Sequence, residues 1–342
     1  MILIDGIIFS LQKQGGISVY FKTLIEYLSK TQENAALIFD DSFNHRIGID
    51  EESMSIYRQT SRFFERYRKC RIPLQASVFH SSYYRKPDKS ALPTVVTVHD
   101  FIYERYQSGP RQWVHTTQKN AAIRAAQAVI CISESTKDDL LEFVGETPGQ
   151  TIHVIHNGVS DIFCKLCLEP VVTPFVLFVG QRSGYKNFRL ALNAMAFLPD
   201  MALYCVGGGP IRPDELNGIP ESVVRRVRHL GFVTDEELNV LYNQALCLVY
   251  PSSYEGFGIP VVEAMRAGCP VVSVDCKAVL EVGRDALTVV PELDSRAMAD
   301  AILQTISSGR QSLIHKGLAV AQRYSWDATH SQTLAVYRSL SA

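Results

Sequence analysis

Two glutamates lie eight residues apart around a glycine-rich turn in the segment PSSYEGFGIPVVEAMRAGCPVV. An apolar run, LCLVY, precedes the turn and an apolar helical pattern follows it, which predicts strand, turn, helix and a further strand. The amides of Gly256, Phe257 and Gly258 then lie at the helix N-terminus, where partial positive charge favours a phosphate. Glu255 is expected beside phosphate groups, and Glu263 about two helical turns further on.

This segment resembles the signature EGFGLPxxEAMAxGxPV of glycosyltransferase family 4. Members of that family are retaining enzymes with the GT-B fold, in which two Rossmann-like doubly wound domains face a central cleft. Taken alone, Glu255 would more often cap the helix and Glu263 would more often be a solvated helix residue. The resemblance implies instead that Glu255 contacts a donor sugar and that Glu263 binds the ribose hydroxyls of its nucleotide.

A cationic loop is predicted at the end of the strand in FVLFVGQRSGYKN, where Arg182 and Lys186 are four residues apart. Two cations at the carboxyl end of a strand suit a diphosphate. The loop resembles the family motif VGRxxxxKG, which implies that both cations hold the departing diphosphate and act in catalysis. The sequence departs from that motif at Gln181 and at Asn187, where glycine is common, and neither change removes a charge.

Two further loops of the second half are predicted to line the donor site. The cluster CVGGGP contains Gly207, but Arg212 stands where the third glycine of a dinucleotide-binding fingerprint belongs. It resembles the second glycine cluster of family 4. In HLGFVTDEEL, Thr234 is predicted to cap a helix, and the resemblance implies that Phe232 and Val233 face the nucleobase through their backbone.

In the first half, KQGGISVYF places Gly15 and Gly16 between the first strand and the first helix. Their amides suit a phosphate, and ordinary turn glycines are the alternative interpretation. TVVTVHDF ends a strand with His99 and Asp100 and resembles the His-Asp pair at the family's reaction centre. The resemblance implies that His99 lies near the donor sugar, and a hydrogen-bonded structural histidine is the competing interpretation.

Three further residues are candidates for the acceptor side. His80 and Tyr83 follow a strand in VFHSSYY and are interpreted as lining an acceptor pocket. Ser133 in CISESTKDDL is predicted to cap a helix, and its resemblance to a serine-containing family segment implies contact with the acceptor or the phosphate.

Composition limits the class of protein. The 342 residues suit two α/β domains. The net charge of −1 argues against a nucleic-acid partner. Several of the eight cysteines lie in apolar strands and are interpreted as buried thiols of a reducing compartment, and the Cys164–Cys167 pair as coincidental. With no apolar run of about 20 residues and no signal peptide, we expect a cytoplasmic protein.

Apolar strands alternate with amphipathic helices in two successive series, which predicts α/β architecture with largely parallel sheets. ILIDGIIF is predicted as the first strand, with a helix from about Val19. We predict an acceptor-side domain over residues 1–160 and a nucleotide-sugar domain over 161–325. The end, residues 326–342, resembles the family's last helix, which implies that it crosses back to the first domain.

The implied chemistry is departure of a sugar from a nucleoside diphosphate through an oxocarbenium-like state. The enzyme must stabilise negative charge on the diphosphate, which the two loop cations and the helix N-termini suit. No Asp-x-Asp pair occurs in the chain, so transfer without a metal or other cofactor is expected. Glu255 is assigned to donor positioning rather than to covalent catalysis.

The segment YRQTSRFFERYRKCRI, from Tyr57 to Ile72, carries six cations, one acid and interleaved aromatics. Helical spacing would give a basic flank beside aromatic side chains, suited to an anionic inner leaflet. A solvated helix whose aromatics pack on the first domain is the equal alternative.

Together these features predict a retaining, metal-independent transferase of a hexose, with mannose favoured, from a GDP- or UDP-sugar to a glycan acceptor. The opening DGIIFSLQKQGGISVYF resembles transferases of bacterial surface polysaccharide assembly, which implies an undecaprenyl-linked acceptor in O-antigen or capsule synthesis and a location at the inner membrane face. The alternatives are a nucleotide-sugar epimerase of the same fold and a non-catalytic nucleotide-sugar binder. A non-catalytic binder is expected to lack Glu255, Lys186 or His99, and all three are present.

Overall fold

The computed structural model describes residues 1–12, 15–40, 54–73, 75–169, 172–182 and 184–341. The chain divides into two compact units. Unit 1 comprises Met1–Gly158 together with Trp326–Ala342, and unit 2 comprises Val159–Ser325.

Among the described residues of unit 1, seven parallel strands form one sheet, and five helices connect them. The strands are β1 (Ile2–Asp5), β2 (Ala35–Asp40), β3 (Ser55–Gln59), β4 (Val78–Ser81), β5 (Thr94–Val98), β6 (Ala128–Cys131) and β7 (Thr151–Val154). The helices are α1 (Ile7–Leu11), α2 (Gly16–Lys30), α3 (Ile102–Tyr106), α4 (Pro110–Ala125) and α5 (Glu134–Phe143).

The strand order of unit 1 is β3-β2-β1-β4-β5-β6-β7. The central strands β1, β4, β5 and β6 are buried along their whole length, as expected for a parallel sheet covered by helices on both faces. The order reverses between β1 and β4, so the loops that follow these strands diverge and leave a crevice at their carboxyl ends.

Unit 2 repeats this architecture with the order β10-β9-β8-β11-β12-β13, all parallel. Its strands are β8 (Phe175–Val179), β9 (Ala202–Val206), β10 (Val227–His229), β11 (Leu248–Tyr250), β12 (Val271–Val274) and β13 (Leu287–Val290). Its helices are α6 (Phe188–Ala194), α7 (Glu221–Val224), α8 (Asp235–Gln244), α9 (Ile259–Arg266), α10 (Lys277–Gly283), α11 (Ser295–Gln304) and α12 (Arg310–Ala321). Here the order reverses between β8 and β11.

The last helix, α13 (Trp326–Ser341), belongs to unit 1 and packs against α2 and β4. Its side chains Leu334, Val336 and Tyr337 are part of the buried core beneath the sheet. The predicted fold class, two doubly wound α/β domains with a final helix that returns to the first, is therefore confirmed.

The predicted first strand ends earlier than expected. β1 stops at Asp5, and the following residues form the short helix α1 instead of continuing the strand. The Asp5 carboxylate accepts a hydrogen bond from the Ile7 amide at 3.2 Å, while the Gly6 amide bonds to β2. An apolar run does not distinguish a strand from a buried helix, and here a local polar contact turns the chain. The next helix begins at Gly16 rather than near Val19.

The predicted basic helix from Tyr57 to Ile72 is wrong. Tyr57 lies in β3, which pairs with β2, and only the 3-10 turn Glu65–Tyr67 is helical within this segment. Phe64 adopts a left-handed backbone conformation with φ 59°, which interrupts any continuous helix. Only residues 57–59 of the segment belong to β3, and most of the remaining residues lie outside helices and strands.

Candidate active site

Lys186 and Glu255 meet at the reversal point of the unit 2 sheet. Lys186 ends a 3-10 turn after β8, and Glu255 lies in the loop after β11, the two strands between which the order reverses. Lys186 Nζ donates to Glu255 Oε1 at 2.5 Å, and its ammonium lies 5.4 Å from the centre of the Tyr250 ring. Both charged side chains are almost buried, at 12% and 11% exposure. The pair lies where open α/β sheets bind ligands.

Backbone and amide contacts hold the two loops together. Asn187 Nδ2 donates to the Pro251 carbonyl at 2.9 Å, and the Ser253 amide donates to the Tyr185 carbonyl at 2.9 Å. Asn187 has φ 48° and ψ 40°, a left-handed conformation that asparagine and glycine tolerate better than other residues. The departure from the family glycine at this position therefore preserves the loop geometry.

Arg182 does not join Lys186 in this structure. Its Nε donates to Glu215 Oε1 at 2.9 Å, and its two terminal nitrogens donate at 2.8 Å to the carbonyls of Gly207, Gly209 and Pro210. The side chain is 3% exposed. The guanidinium thus supports the loop after β9, and the predicted contact with a diphosphate would require these hydrogen bonds to be exchanged.

The loop after β9 depends on glycine. Gly207 and Gly208 have φ values of 85° and 74°. A Cβ at Gly208 would lie 2.8 Å from Arg182 Nη1, so a side chain there would displace the guanidinium. Gly207, a predicted donor residue, is therefore coupled to Arg182 through its carbonyl group.

The turn after Glu255 leads directly into α9. Gly258 precedes the helix with φ 98°, and a Cβ there would lie 3.3 Å from the Val279 side chain. Phe257 is buried, with its ring 5.6 Å from that of Tyr324. Phe257 therefore anchors the turn in the core of unit 2, and Gly256 and Gly258 bring the backbone to the start of the helix, as predicted for an anion site.

Glu263 lies one turn into α9 and receives a hydrogen bond from the Tyr242 hydroxyl at 2.9 Å. Burial of the carboxyl raises the pKa of Glu263 from its ordinary 4.5 to about 7. A carboxyl in this position accepts hydrogen bonds when ionised, which is the property that ribose hydroxyls require.

Phe232 and Val233 form the loop between β10 and α8. The Phe232 side chain is 73% exposed, an unusual position for a phenylalanine. Thr234 then caps α8, with its hydroxyl accepting from the Glu237 amide at 3.2 Å, which confirms the predicted cap. The fixed cap sets the conformation of the exposed loop that the sequence assigned to the nucleobase.

His99 follows β5 in unit 1 and is almost completely buried. Its Nε2 has no hydrogen-bond partner among the residues that the structure describes. Burial, assisted by the nearby Lys119 cation, lowers the pKa of His99 to about 3, so the ring is neutral near pH 7. A buried nitrogen of this kind is suited to a ligand hydroxyl, and the predicted role near the donor sugar stays a prediction.

Gly15 and Gly16 lie at the start of α2, as predicted. The side chain of Gln12 occupies the space beside them. Its Oε1 accepts from the Ser18 amide at 3.2 Å, and a Cβ at Gly15 would lie 2.3 Å from its carboxamide carbon. A phosphate bound at this helix terminus would therefore displace the Gln12 carboxamide.

The structure does not support the acceptor assignment of His80. Its side chain is fully buried, with Nδ1 2.5 Å from the Tyr337 hydroxyl and Nε2 2.9 Å from Thr97 Oγ1, so both ring nitrogens are satisfied inside the core. Ser133 is also fully buried, and its hydroxyl caps α5 by accepting from the Thr136 amide. The cap is confirmed, but neither side chain offers an accessible surface to a ligand.

Tyr83 keeps a partly exposed position. Its hydroxyl lies 3.4 Å from His115 Nε2, and the Arg66 guanidinium lies 4.7 Å from the centre of its ring. It is the one of the three acceptor candidates, His80, Tyr83 and Ser133, whose side chain is not classed as buried.

The chain matches known families over most of its length. Residues 14–161 match the family described as Glycosyltransferase Family 4, and residues 173–308 match Glycosyl transferases group 1. O-antigen chain mannosyltransferase B of Escherichia coli is 30% identical over 267 residues, which cover 72% of this chain and 70% of that protein. The chain belongs to glycosyltransferase family 4.

Other relatives of this family 4 glycosyltransferase include a phosphatidyl-myo-inositol mannosyltransferase of Propionibacterium freudenreichii. It is 30% identical over 230 residues, 61% of this chain and 55% of that protein. Sucrose-phosphate synthase from Thermosynechococcus elongatus has a similar structure, with a TM-score of 0.78 at 21% identity over 99% and 98% of the two chains. Anabaena Alr3699/HepE in complex with UDP and glucose has a TM-score of 0.70 at 17% identity, covering 99% of each chain.

The sequence does not indicate several contacts that the candidate site residues make. Glu215 accepts a hydrogen bond from Arg182, and Tyr242 donates one to Glu263. The charge of Lys119 acts on His99. Each lies on a different element from its partner, 15 or more positions away, so no local spacing indicates the contact. Lys119 was the one detectable signal, because it shares the buried face of α4 with Ala122 and Ile123.

Across the described parts of this glycosyltransferase, no helix combines the length and apolarity needed to cross a bilayer. All eight cysteines are free thiols, and six of them are buried. Burial raises the pKa of these buried thiols, with Cys269 at about 12, so they are inert at neutral pH.

Proposed function

We propose that this glycosyltransferase transfers a hexose from a nucleoside-diphosphate sugar to a glycan acceptor, with mannose as the favoured sugar. Relatives named as mannosyltransferases at about 30% identity support the choice of sugar. The donor nucleotide is GDP or UDP, and the experiment below distinguishes them.

The Lys186–Glu255 pair carries the proposal. It lies at the ligand-binding edge of the unit 2 sheet, beside the turn that begins α9. Lys186 supplies a nearly buried positive charge for the diphosphate that departs, where it acts more strongly than in water. Glu255 orients the ammonium and offers its second oxygen to a sugar hydroxyl.

We further propose that transfer retains the anomeric configuration and proceeds without a divalent metal. Lys186 and the amides at the start of α9 would meet the charge of the leaving group. Glu255 is already bonded to Lys186 and to the Tyr250 hydroxyl, which suits a positioning role better than nucleophilic attack.

The acceptor is proposed to be a lipid-linked glycan of O-antigen or capsule assembly, used at an anionic membrane surface. The named activities of two relatives, on an O-antigen chain and on phosphatidyl-myo-inositol, support an acceptor of this type. Attachment to a lipid would place the acceptor at the membrane.

The test begins with purified protein, GDP- and UDP-hexoses, and mannosyl acceptors, with EDTA or magnesium. Transfer from one nucleotide sugar in EDTA, with an α-linked product from an α-linked donor by NMR, is the expected result. Conversion of the donor sugar without an acceptor would indicate an epimerase. Binding without turnover of any sugar would indicate a nucleotide-sugar binder.

Lys186→Ala and Glu255→Ala should each lower transfer by about 100-fold or more. The first removes the cation that meets the charge of the departing diphosphate, and the second removes the carboxylate that orients this cation and positions the donor sugar. The matched control is the ion pair of Lys316 and Asp285, 3.3 Å apart and well exposed in the same unit. Alanine at those two positions should leave transfer unchanged. Near-normal turnover by both site variants would refute the assignment.

A further inference from the structure

An exposed group of aromatic and basic side chains lies on unit 1. The side chains of Phe63, Phe64 and Trp113 are 79%, 64% and 66% exposed. We call these three residues, with Tyr67, Arg68, Lys69 and Lys86, the basic aromatic surface. Large aromatics are rarely this exposed unless they contact another molecule.

Two separate segments build this surface. One is the turn around residues 63–69, and the other is the outer face of α4, on which Trp113 lies. Gln118 of α4 joins them, because its Nε2 donates to the Arg66 carbonyl at 2.8 Å. The surface is therefore held by the fold and does not depend on a helix forming over Tyr57–Ile72.

The turn directs its rings into solvent. The centres of the Phe63 and Phe64 rings are 4.2 Å apart, and Phe64 has the left-handed backbone conformation described above. Such a conformation is unfavourable for a bulky residue. Phe64 thus keeps a strained backbone conformation although its side chain gains little burial. Strained residues of this kind cluster at binding sites.

A groove of about 280 Å³ lies within the surface, between the turn and α4. Eleven described residues line it; four of them are cations and none is acidic. The charge of Arg85 is balanced, since its guanidinium bonds to Asp5 at 2.6 Å and to Glu65 at 2.7 Å. The positive charge that the groove presents therefore comes from Arg68, Lys69 and Lys86.

We propose that the basic aromatic surface docks on an anionic phospholipid bilayer, with a lipid phosphate in the groove beside Lys69 and Lys86. Aromatic side chains favour the depth of the headgroups, and cations favour anionic lipid. The net charge of −1 argues against a general polyanion such as nucleic acid as the partner. A neutral glycan fits less well, because it would leave the charges of Arg68, Lys69 and Lys86 without an anionic partner.

The inference deepens the proposed use of a lipid-linked acceptor and rests on it for its biological purpose. It also corrects the surface predicted from sequence. Trp113 and Lys86 lie outside the segment 57–72, whereas Arg62 and Arg71 of that segment are engaged with Glu65 and the Thr60 carbonyl.

Tryptophan fluorescence offers a direct test, because Trp113 and Trp326 are the two tryptophans of the chain. Trp326 is partly buried and stacks on His330, with ring centres 5.3 Å apart. Vesicles of phosphatidylglycerol and phosphatidylcholine should shift the emission to the blue, and brominated lipid should quench it. Pure phosphatidylcholine should do neither, and Trp113→Phe should abolish both effects.

Lys69→Ala with Lys86→Ala keeps the reporter and should weaken vesicle binding about 25-fold, at about a fivefold loss for each cation. The matched control is Phe197→Ala with Arg296→Ala in unit 2, another exposed aromatic with a guanidinium 5.0 Å from its ring centre. The control should bind vesicles normally. Equal binding by both double variants would overturn the proposal.

Soluble ligands separate the remaining possibilities. If inorganic pyrophosphate or a soluble mannan shifts the Trp113 emission without vesicles as strongly as anionic vesicles do, the groove is a soluble-ligand site and the proposal fails. Transfer to a water-soluble acceptor is measured on the same variants. Variants that lose vesicle binding but keep normal transfer to the soluble acceptor support membrane docking. A wild-type protein that binds vesicles but transfers no sugar refutes the proposed function and leaves the docking proposal standing.

Discussion

At the scale of single residues, the ion pair of Lys186 and Glu255 sets the electrostatics of the proposed donor site. Without a ligand, the carboxylate neutralises the ammonium at 2.5 Å. A diphosphate that binds Lys186 therefore shares the cation with Glu255. This arrangement keeps a nearly buried charge compensated between turnovers, when an unpaired lysine would be costly.

Glu263 provides a pH-dependent prediction. Its pKa is raised to about 7, so the folded state favours the protonated form, and this contribution to stability is present below about pH 4.5 and lost as the pH rises through 7. Relative to Glu263→Gln, the wild type should lose about 3 kcal/mol of unfolding free energy between pH 5 and pH 8. Urea titrations followed by circular dichroism at both pH values measure the difference.

The exposed Glu221 gives a control, because its salt bridge with Arg225 lies at the surface of the same unit. Glu221→Gln should follow the wild type at both pH values. If the unfolding free energies of the wild type and Glu263→Gln change in parallel with pH, the pKa of Glu263 is not raised by burial and this prediction fails.

Residues were predictable where chemistry is local in sequence. Glu255 and Lys186 follow strands within short loops, as the sequence predicts, and their contact with a phosphate stays a prediction. The contacts of Arg182 and His80 were not predictable, because their hydrogen-bond partners lie 17 to 257 positions away and only the fold brings them together. The type of a side chain indicates which groups it can bind. It does not show whether other residues of the protein already occupy its donors and acceptors.

At the scale of elements, α4 fixes the end of β5 through Lys119. Its ammonium donates to the Asp100 carbonyl at 2.5 Å and to Glu104 at 3.1 Å, and it lies 3.5 Å from the centre of the Phe101 ring. The lysine is 1% exposed. This cluster positions the loop that carries His99 and keeps a positive charge near its neutral ring.

Lys119→Met should destabilise unit 1 by about 3 to 5 kcal/mol, because it leaves the Glu104 carboxylate buried without its partner. Adding Glu104→Leu should restore most of that stability. Transfer by the double variant should stay at least tenfold lower than that of the wild type, with the loss in kcat rather than KM. The reason is that Lys119 no longer donates to the Asp100 carbonyl, so the loop that carries His99 loses its positioning contact. Urea unfolding followed by tryptophan emission and steady-state kinetics measure the two effects.

Full activity in the stable double variant would limit Lys119 to a structural role. Lys137→Met is a suitable comparison, because this lysine pairs with Glu134 at 3.3 Å on the exposed side of α5. Its loss should change neither the stability nor the transfer rate by a measurable amount.

The buried strands were predictable because each reads as a short apolar run between turn signals. The structure confirms the runs FVLFV, ALYCV and VVSV as β8, β9 and β12. β3 was missed because its five residues, SIYRQ, show no polar–apolar alternation, and no residue of this edge strand is fully buried. Its pairing with β2 is a tertiary contact, which local pattern does not show.

At the scale of the whole molecule, three buried histidines lie around the junction of α13 with the rest of unit 1. His330 is on α13, His80 on β4 and His99 after β5. Burial lowers the pKa of each to about 3. All three are neutral in the folded protein, whereas unfolding exposes them to protonation below their ordinary value of 6.5.

Unit 1 should therefore lose stability as the pH falls from 6.5 towards 3, because protons bind more strongly to the unfolded chain. His330→Gln should reduce this slope by about 1.4 kcal/mol per pH unit. Both tryptophans belong to unit 1, so urea unfolding followed by their emission at pH 7, 6 and 5 reports this unit.

The exposed His315 on α12 supplies the control, and His315→Gln should leave the slope unchanged. A slope that His330→Gln does not alter would mean that this ring is protonated without loss of the α13 contact.

Because unit 2 interrupts unit 1 in the sequence, the two units are completed at different times during translation. Unit 2 is one continuous stretch, so all of its residues are available before Trp326 is synthesised. Unit 1 begins earlier but lacks α13 and the Tyr337 partner of His80 until translation has passed through the whole of unit 2. A nascent chain stalled before α13 would carry a complete unit 2 beside an unfinished unit 1, a state that chaperones and proteases can recognise by its exposed core.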